Sequence, residues 1–266
     1  MDVKALGPLQ IREGEHSILP TAGKPRQLLA LLALNPDRLV AVATLMEEIW
    51  GENPPRSAAT TLQTYILHLR RMLAAALGEN GARRPKDVLA TTPGGYLLRV
   101  APGEVDAELF TARVAEGRRE FNLGGYGRAS QLLGEALGLW RGPALADIAV
   151  GRILELDVMA LEEARISALE CRIEADIRRG MSGELVGELR VLAARHPLNE
   201  RFHAQLMLAF YRSGNAGRAL EAYQILRRTL REELGLEPSS VVRQLQQAIL
   251  SGEVSPGPEA LRPVGV

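Results

Sequence analysis

The sequence predicts a mainly α protein in two parts. An N-terminal winged helix-turn-helix of α+β type is followed by an all-α bundle of tetratricopeptide-like (TPR-like) hairpins. Three observations predict this. Short apolar clusters separated by turn residues run from Val3 to Leu19 and recur from Val88 to Val100, and three helical patterns lie between them. From about Val105 to Leu250 every segment carries helical periodicity. The chain has 266 residues, is 46% hydrophobic and has a mean hydropathy near zero, enough apolar material for one or two ordinary cores.

The first elements are short strands: Val3, Ala5 and Leu6, then Leu9 and Ile11, then Ile18 and Leu19, separated by Gly7, Pro8 and Gly14. Thr21 is expected to cap a first helix with Pro25 near its first turn; its Leu28, Leu29, Leu31, Leu32 run stops at Asn35 and Pro36. Thr44 is expected to cap Leu45 to Trp50, with Glu47 completing a capping box and Gly51 ending the helix. The Pro54-Pro55 pair then breaks the chain, because proline lacks a donor and biases its predecessor away from helix. A third helix spans Ser57 to Leu77, where Leu62, Ile66, Leu69 and Leu73 step by four, three and four to form one apolar stripe. Pro93, Gly94 and Gly95 sit between two apolar runs and signal a hairpin.

Ala101, Pro102 and Gly103 mark the expected boundary, giving residues 1–101 to the winged part, 105–252 to the bundle and 253–266 to a loosely ordered Pro- and Gly-rich tail. Helix breaks are expected at Gly124 and Gly125, Arg141 to Pro143, Gly180, Pro197, Gly214 and Pro238. Internal repeats fit this pattern. Tyr126-Gly127-Arg128-Ala129 precedes Leu133 and Ala136 by the same offsets at which Ala216-Gly217-Arg218-Ala219 precedes Tyr223 and Leu226. A looser copy runs through Leu185, Leu189, Leu192 and Pro197. Small residues followed by larger ones a turn later suit the second helix of a TPR hairpin.

Composition narrows the function classes. The single Cys171 excludes a disulfide framework and a Cys-rich zinc site, and it fits a reducing, cytoplasmic setting. No apolar run approaches a membrane span, and the residues after Met1 do not read as a signal sequence, so neither a membrane nor export is expected. His16, His68, His196 and His203 lack metal-ligand spacing, no Ser, His and Asp grouping stands out, and the P-loop string is absent. The expectation is therefore no enzyme, no metal and no cofactor. Trp50 and Trp140 read as core anchors, and His196 as a helix C-terminal residue. Net charge is formally zero; residues 1–100 hold 12 Lys or Arg against 9 Asp or Glu, so any affinity for a polyanion must come from placement.

That placement points to the third helix. Opposite its apolar stripe lie Thr60, Thr61, Gln63, Thr64, Leu67, His68 and Arg71, and no acidic residue occurs between Arg56 and Gly78. A major groove admits one α-helix, and these side chains can hydrogen-bond base edges or phosphates. The hairpin turn, with Thr91, Thr92 and Tyr96 around Pro93-Gly94-Gly95, follows Arg83, Arg84 and Lys86, which would set cations beside a phosphate backbone.

The strings KPRQLLALLALNP, TLMEEIWG, PPRSAATTLQTYILHLRRML and TTPGGYLL, over residues 24–99, resemble the Streptomyces antibiotic regulatory proteins, whose winged helix is of the OmpR type. Residues from about 105 to 252, ending LGLEPSSVVRQLQQAIL, resemble that family's bacterial transcriptional activation domain. The resemblance implies a short-form activator of an antibiotic gene cluster. It would bind direct repeats in double-stranded DNA near a promoter as a homodimer and recruit RNA polymerase through its sigma or alpha subunit. It further implies that Thr60, Thr61, Thr64 and His68 face the groove, that Arg70 and Arg71 face phosphates, and that Thr91 to Tyr96 form the wing. The loop with Glu52, Asn53 and Arg56 would face polymerase, and the protein would sit in the cytoplasm with the nucleoid. Thr92 and Pro93 stand where the OmpR type often offers an arginine, so minor-groove reading by the wing is not expected. The rival reading is a TPR-type adaptor whose winged domain does not bind DNA.

Overall fold

The computed structural model describes residues 1–78 and 83–253; the expected tail lies outside the described residues from 254 onward. The elements run β1 (Asp2–Lys4), β2 (Gln10–Glu13), β3 (His16–Ser17), α1 (Gly23–Leu34), β4 (Val40–Ala41), α2 (Val42–Trp50), α3 (Ala58–Leu77), α4 (Pro85–Val88), β5 (Leu89–Thr92) and β6 (Gly95–Leu98). Helices α5 (Asp106–Asn122), α6 (Tyr126–Leu137), α7 (Arg152–Arg178), α8 (Ser182–Arg195), α9 (Glu200–Arg212), α10 (Ala216–Leu234) and α11 (Ser240–Ser251) follow. This is the expected sheet–helices–hairpin order with an all-helical continuation.

The chain forms two compact units whose borders fall inside helices. One comprises Met1–Ala115 with Glu135–Ile166, the other Glu116–Gly134 with Ser167–Val266. Turn chemistry at Ala101 to Gly103 marks a bend, with Gly103 at φ +87°, but the first unit continues across it.

In the first unit, β1, β2 and β3 form an antiparallel meander, and β4, β6 and β5 form a second antiparallel sheet in that order. Leu28, Leu31 and Leu32 of α1, Leu45 of α2 and the Leu62, Ile66, Leu69, Leu73 stripe of α3 are all buried, as the spacing predicts. Two caps differ from expectation. α1 starts after Ala22 and not Thr21, and α2 starts after Ala41, which places Thr44 and Glu47 inside the helix without a capping box. Pairing of Val40 with Tyr96 draws the chain into β4 and fixes the start of α2 three residues early. Trp140 is buried and meets Phe110 edge-on, as a core anchor should. Trp50 is only half-buried, stacked on Tyr65 with Lys24 over its ring, so it is a surface clamp.

Three carboxylates, Asp106 and Glu48 buried and Asp147 exposed, fasten the winged elements to the segments that complete the first unit. Asp106 accepts the backbone N–H groups of Ala5 and Leu6 at 2.7 and 3.1 Å. Asp147 accepts that of Leu9 at 2.7 Å and pairs with Arg26. Glu48, 3% exposed, accepts N–H groups of Gly151, Ile153 and Leu154 at 2.6 to 3.0 Å and so caps the start of α7.

Along the helical continuation the repeat positions pack inward. Ala129, Leu133 and Ala136 of α6 and Ala219, Tyr223 and Leu226 of α10 are buried, and Gly117 lets α5 approach Leu133 so closely that a Cβ there would lie 2.7 Å from it. Helices end at the expected glycines near 124, 180 and 214, while α10 stops at the left-handed Gly235 ahead of Pro238.

Candidate nucleic-acid interface

Helix α3 has 20 residues, roughly 30 Å at 1.5 Å per residue, long enough to lie along a groove. One face is locked into the core, so the other must face outward. Thr60, Gln63, Thr64, Leu67, His68 and Arg71 are exposed and recur at intervals of three and four; Thr61 is half-buried at their edge. The Thr64 hydroxyl donates to the Thr60 carbonyl at 3.0 Å, leaving its lone pairs outward as an acceptor. Leu67, 49% exposed, sits in the middle of the stripe. Periodicity puts it on this face but assigns it no part in binding; an apolar side chain between donors and acceptors is what a thymine methyl meets in a major groove.

The cations divide sharply. Arg56, just ahead of α3, and Arg71, past its middle, are exposed, and among the described residues neither has an ion-pair partner. Arg70 is turned the other way. Its guanidinium donates to the Leu89 carbonyl at 2.7 and 2.9 Å and to the Thr91 hydroxyl at 2.7 Å, tying α3 to the first strand of the hairpin. The expectation that Arg70 meets phosphates is therefore corrected: successive residues on a helix differ by about 100°, and only one of the pair can point outward.

The hairpin needs its glycines. Gly94 has φ +87°, and a Cβ on Gly95 would lie 2.2 Å from the Val40 carbonyl, because β4 runs against β6 at that point. Thr91, Pro93 and Gly94 are exposed at the tip, and Thr92 is half-buried with its hydroxyl 3.4 Å from the Gly95 carbonyl. Tyr96, expected in the wing's contact surface, is buried at 8% exposure and belongs to the sheet core. The Arg83, Arg84, Lys86 cluster is also smaller than it reads. Arg84 chelates Asp87 at 2.8 and 3.1 Å, and Arg83 donates to the Arg99 carbonyl at 3.2 Å, so among the described residues Lys86 alone of the three has no partner. Glu52, Asn53, Pro54, Pro55 and Arg56 form a fully exposed loop after Gly51, which ends α2 at φ +59°.

A helix with an acid-free polar face, backed by two other helices and flanked by a glycine-tipped hairpin, defines a winged-helix regulatory module. Comparison with known proteins agrees. Residues 17–98 match the family described as transcriptional regulatory protein, C terminal, and residues 105–250 match the bacterial transcriptional activator domain. The chain is 46% identical to the regulatory protein DnrI of Streptomyces peucetius over 95% of its own length and 93% of DnrI's. It is 36% identical to the transcriptional regulator RedD of Streptomyces coelicolor over 94% of its length and 71% of RedD's. The solved structure of Mycobacterium tuberculosis EmbR in complex with a low affinity phosphopeptide superposes with a TM-score of 0.88 at 33% identity, covering 95% of this chain and 65% of that one. The chain belongs to the Streptomyces antibiotic regulatory protein family of transcriptional activators.

Proposed function

We propose that the protein binds double-stranded DNA by laying α3 in the major groove, and that it activates a promoter of an antibiotic biosynthetic cluster from direct repeats beside it. The observation that carries this reading is the exposed stripe of α3, which is free of carboxylates from Ser57 to Leu77 and has an apolar residue at its centre. Thr60, Gln63, Thr64 and His68 supply donors and acceptors to base edges, Leu67 an apolar contact, and Arg56 and Arg71 the phosphate contacts that set the helix in register. Thr61 borders this set, and Thr91 and Thr92 bring the wing alongside the backbone. The exposed Glu52 to Arg56 loop, beside the start of α3, offers a short surface to RNA polymerase, through its sigma or alpha subunit. Two copies bound to the repeats form the working assembly, in the cytoplasm where the promoter is.

Titration of the full chain onto its native upstream duplex tests this. Binding should prefer that duplex over scrambled DNA, and log K should fall linearly with log salt. Arg71→Ala should weaken both duplexes alike and reduce the salt slope by about one unit. Equal affinity for native and scrambled DNA at moderate salt would remove the reading.

A further inference from the structure

Helices α8, α9 and α10 enclose a groove of about 340 Å³ in the second unit, within the range of small-molecule sites. Its walls are apolar: Ala193 from α8, Leu206 and Phe210 from α9, and Ala222 and Ile225 from α10. Ile225 is 44% exposed, so the groove opens to solvent along α10.

Two features of its polar groups are unusual. His203 lines the groove at 4% exposure, yet among the described residues neither ring nitrogen has a hydrogen-bond partner. The carbonyls of Ala222 and Pro197 lie near the ring but outside hydrogen-bonding geometry, and burial dominates, pushing the imidazole below its ordinary range toward the neutral form. A neutral imidazole carries one N–H and one acceptor nitrogen, and carbonyls can answer only the N–H. The acceptor awaits a donor, and a buried acceptor left unmet is costly. At the rim, Arg190 and Arg218 are exposed and, among the described residues, have no ion-pair partner; the rim carries one carboxylate, Glu221. Arg218 lies over the Phe210 ring at 4.7 Å, so its guanidinium is held at the mouth by an aromatic face and keeps its donors available.

We propose that this groove binds a small apolar carboxylic acid carrying an O–H or N–H donor. The carboxylate sits between Arg190 and Arg218, the body packs on Leu206, Phe210 and Ile225, and the donor reaches the acceptor nitrogen of His203. A pocket of this volume holds one ring system, and its rim charge selects an anion over a cation.

Isothermal titration of the full chain with three probes tests the assignment: indole-3-acetate, its N-methyl analogue and indole-3-acetamide. Indole-3-acetate should bind with a stoichiometry of one, and losing either the carboxylate charge or the N–H donor should weaken binding about tenfold. Arg218→Gln should abolish the preference for the acid over the amide, and His203→Phe the preference for the N–H over the N-methyl compound. Melting curves run alongside establish that each variant is folded. Should His203→Phe not fold, the surface variant Arg218→Gln decides by itself. No binding of the acid at millimolar concentration, or binding that Arg218→Gln leaves unchanged, would overturn the proposal. Tighter binding of an acidic tetrapeptide of alternating glutamate and leucine, with the same arginine dependence, would overturn it in favour of a peptide groove.

Discussion

Arg70 and Arg71 are adjacent in sequence and opposite in use. Arg71 projects from the outward face of α3, whereas Arg70 spends its donors on the Leu89 carbonyl and the Thr91 hydroxyl, fixing the wing to the helix. Spacing alone distinguishes them once the Leu62, Ile66, Leu69, Leu73 stripe is set, because Arg70 follows the buried Leu69 and Arg71 follows His68 by three. His203 carries a residue-scale prediction of another kind. Burial lowers its pKa from the ordinary 6.5, so the unfolded chain takes up a proton before the folded one does. Its contribution to stability is fully present above about pH 6.5 and is lost as pH falls from there through the depressed folded value. The melting temperature should drop over that interval by more in the wild type than in a folded His203→Phe variant. Parallel pH profiles for the two would show that the ring titrates normally.

At the scale of elements, the apolar period of α3 and the Pro-Gly-Gly turn make the helix and the hairpin legible from the amino-acid sequence. The core stripe, the two flanking helices and the repeat positions of α6 and α10 fall where apolar spacing places them. The caps of α1 and α2 are not legible in the same way, because strand pairing at Val40 and Ala41 decides where α2 begins. Tyr96 escapes for the same reason: whether an aromatic in a hairpin faces in or out depends on register, which a neighbouring strand sets. The carboxylate clamps leave the weakest trace, since Glu48, Asp106 and Asp147 act on backbone N–H groups about 100 or more positions away and no side-chain pattern marks those targets. Glu48 gives the sharpest test at this scale. Glu48→Ala leaves three N–H groups at the start of α7 without their acceptor and takes one of two acceptors from the Gln27 amide, which keeps the residue-48 carbonyl, at about 1 to 3 kcal/mol for each group that water cannot reach. Chemical denaturation should show a loss of several kcal/mol, larger than that of Glu47→Ala, whose side chain, among the described residues, makes only an exposed ion pair with Arg152 at 3.5 Å. Equal losses would mean that the clamp contributes little.

For the whole molecule, the modest basic surplus of residues 1–100 sets the terms of binding. Under the proposed reading, one copy brings few uncommitted cations among the described residues to DNA, and a second copy on a neighbouring repeat would add affinity through effective concentration. Direct repeats are related by translation, so two copies bound as proposed would lie head to tail on one face of the duplex. Inserting about five base pairs between half-sites, half of a ten-base-pair turn, should therefore abolish cooperative binding by the full chain. The full chain is the right material, because ending it at residue 101 would strip Asp106 from the Ala5 and Leu6 backbone. The central claim, that α3 reads base sequence, is tested most directly by fluorescence anisotropy of the full chain on its native duplex and on scrambled DNA, wild type against Thr64→Ala/His68→Ala. Both side chains are exposed and outside the core, so melting should not change. The double variant should lose about 1 to 3 kcal/mol per base contact on the native duplex while its affinity for scrambled DNA stays as it was. Undiminished preference for the native duplex in the folded double variant would contradict it.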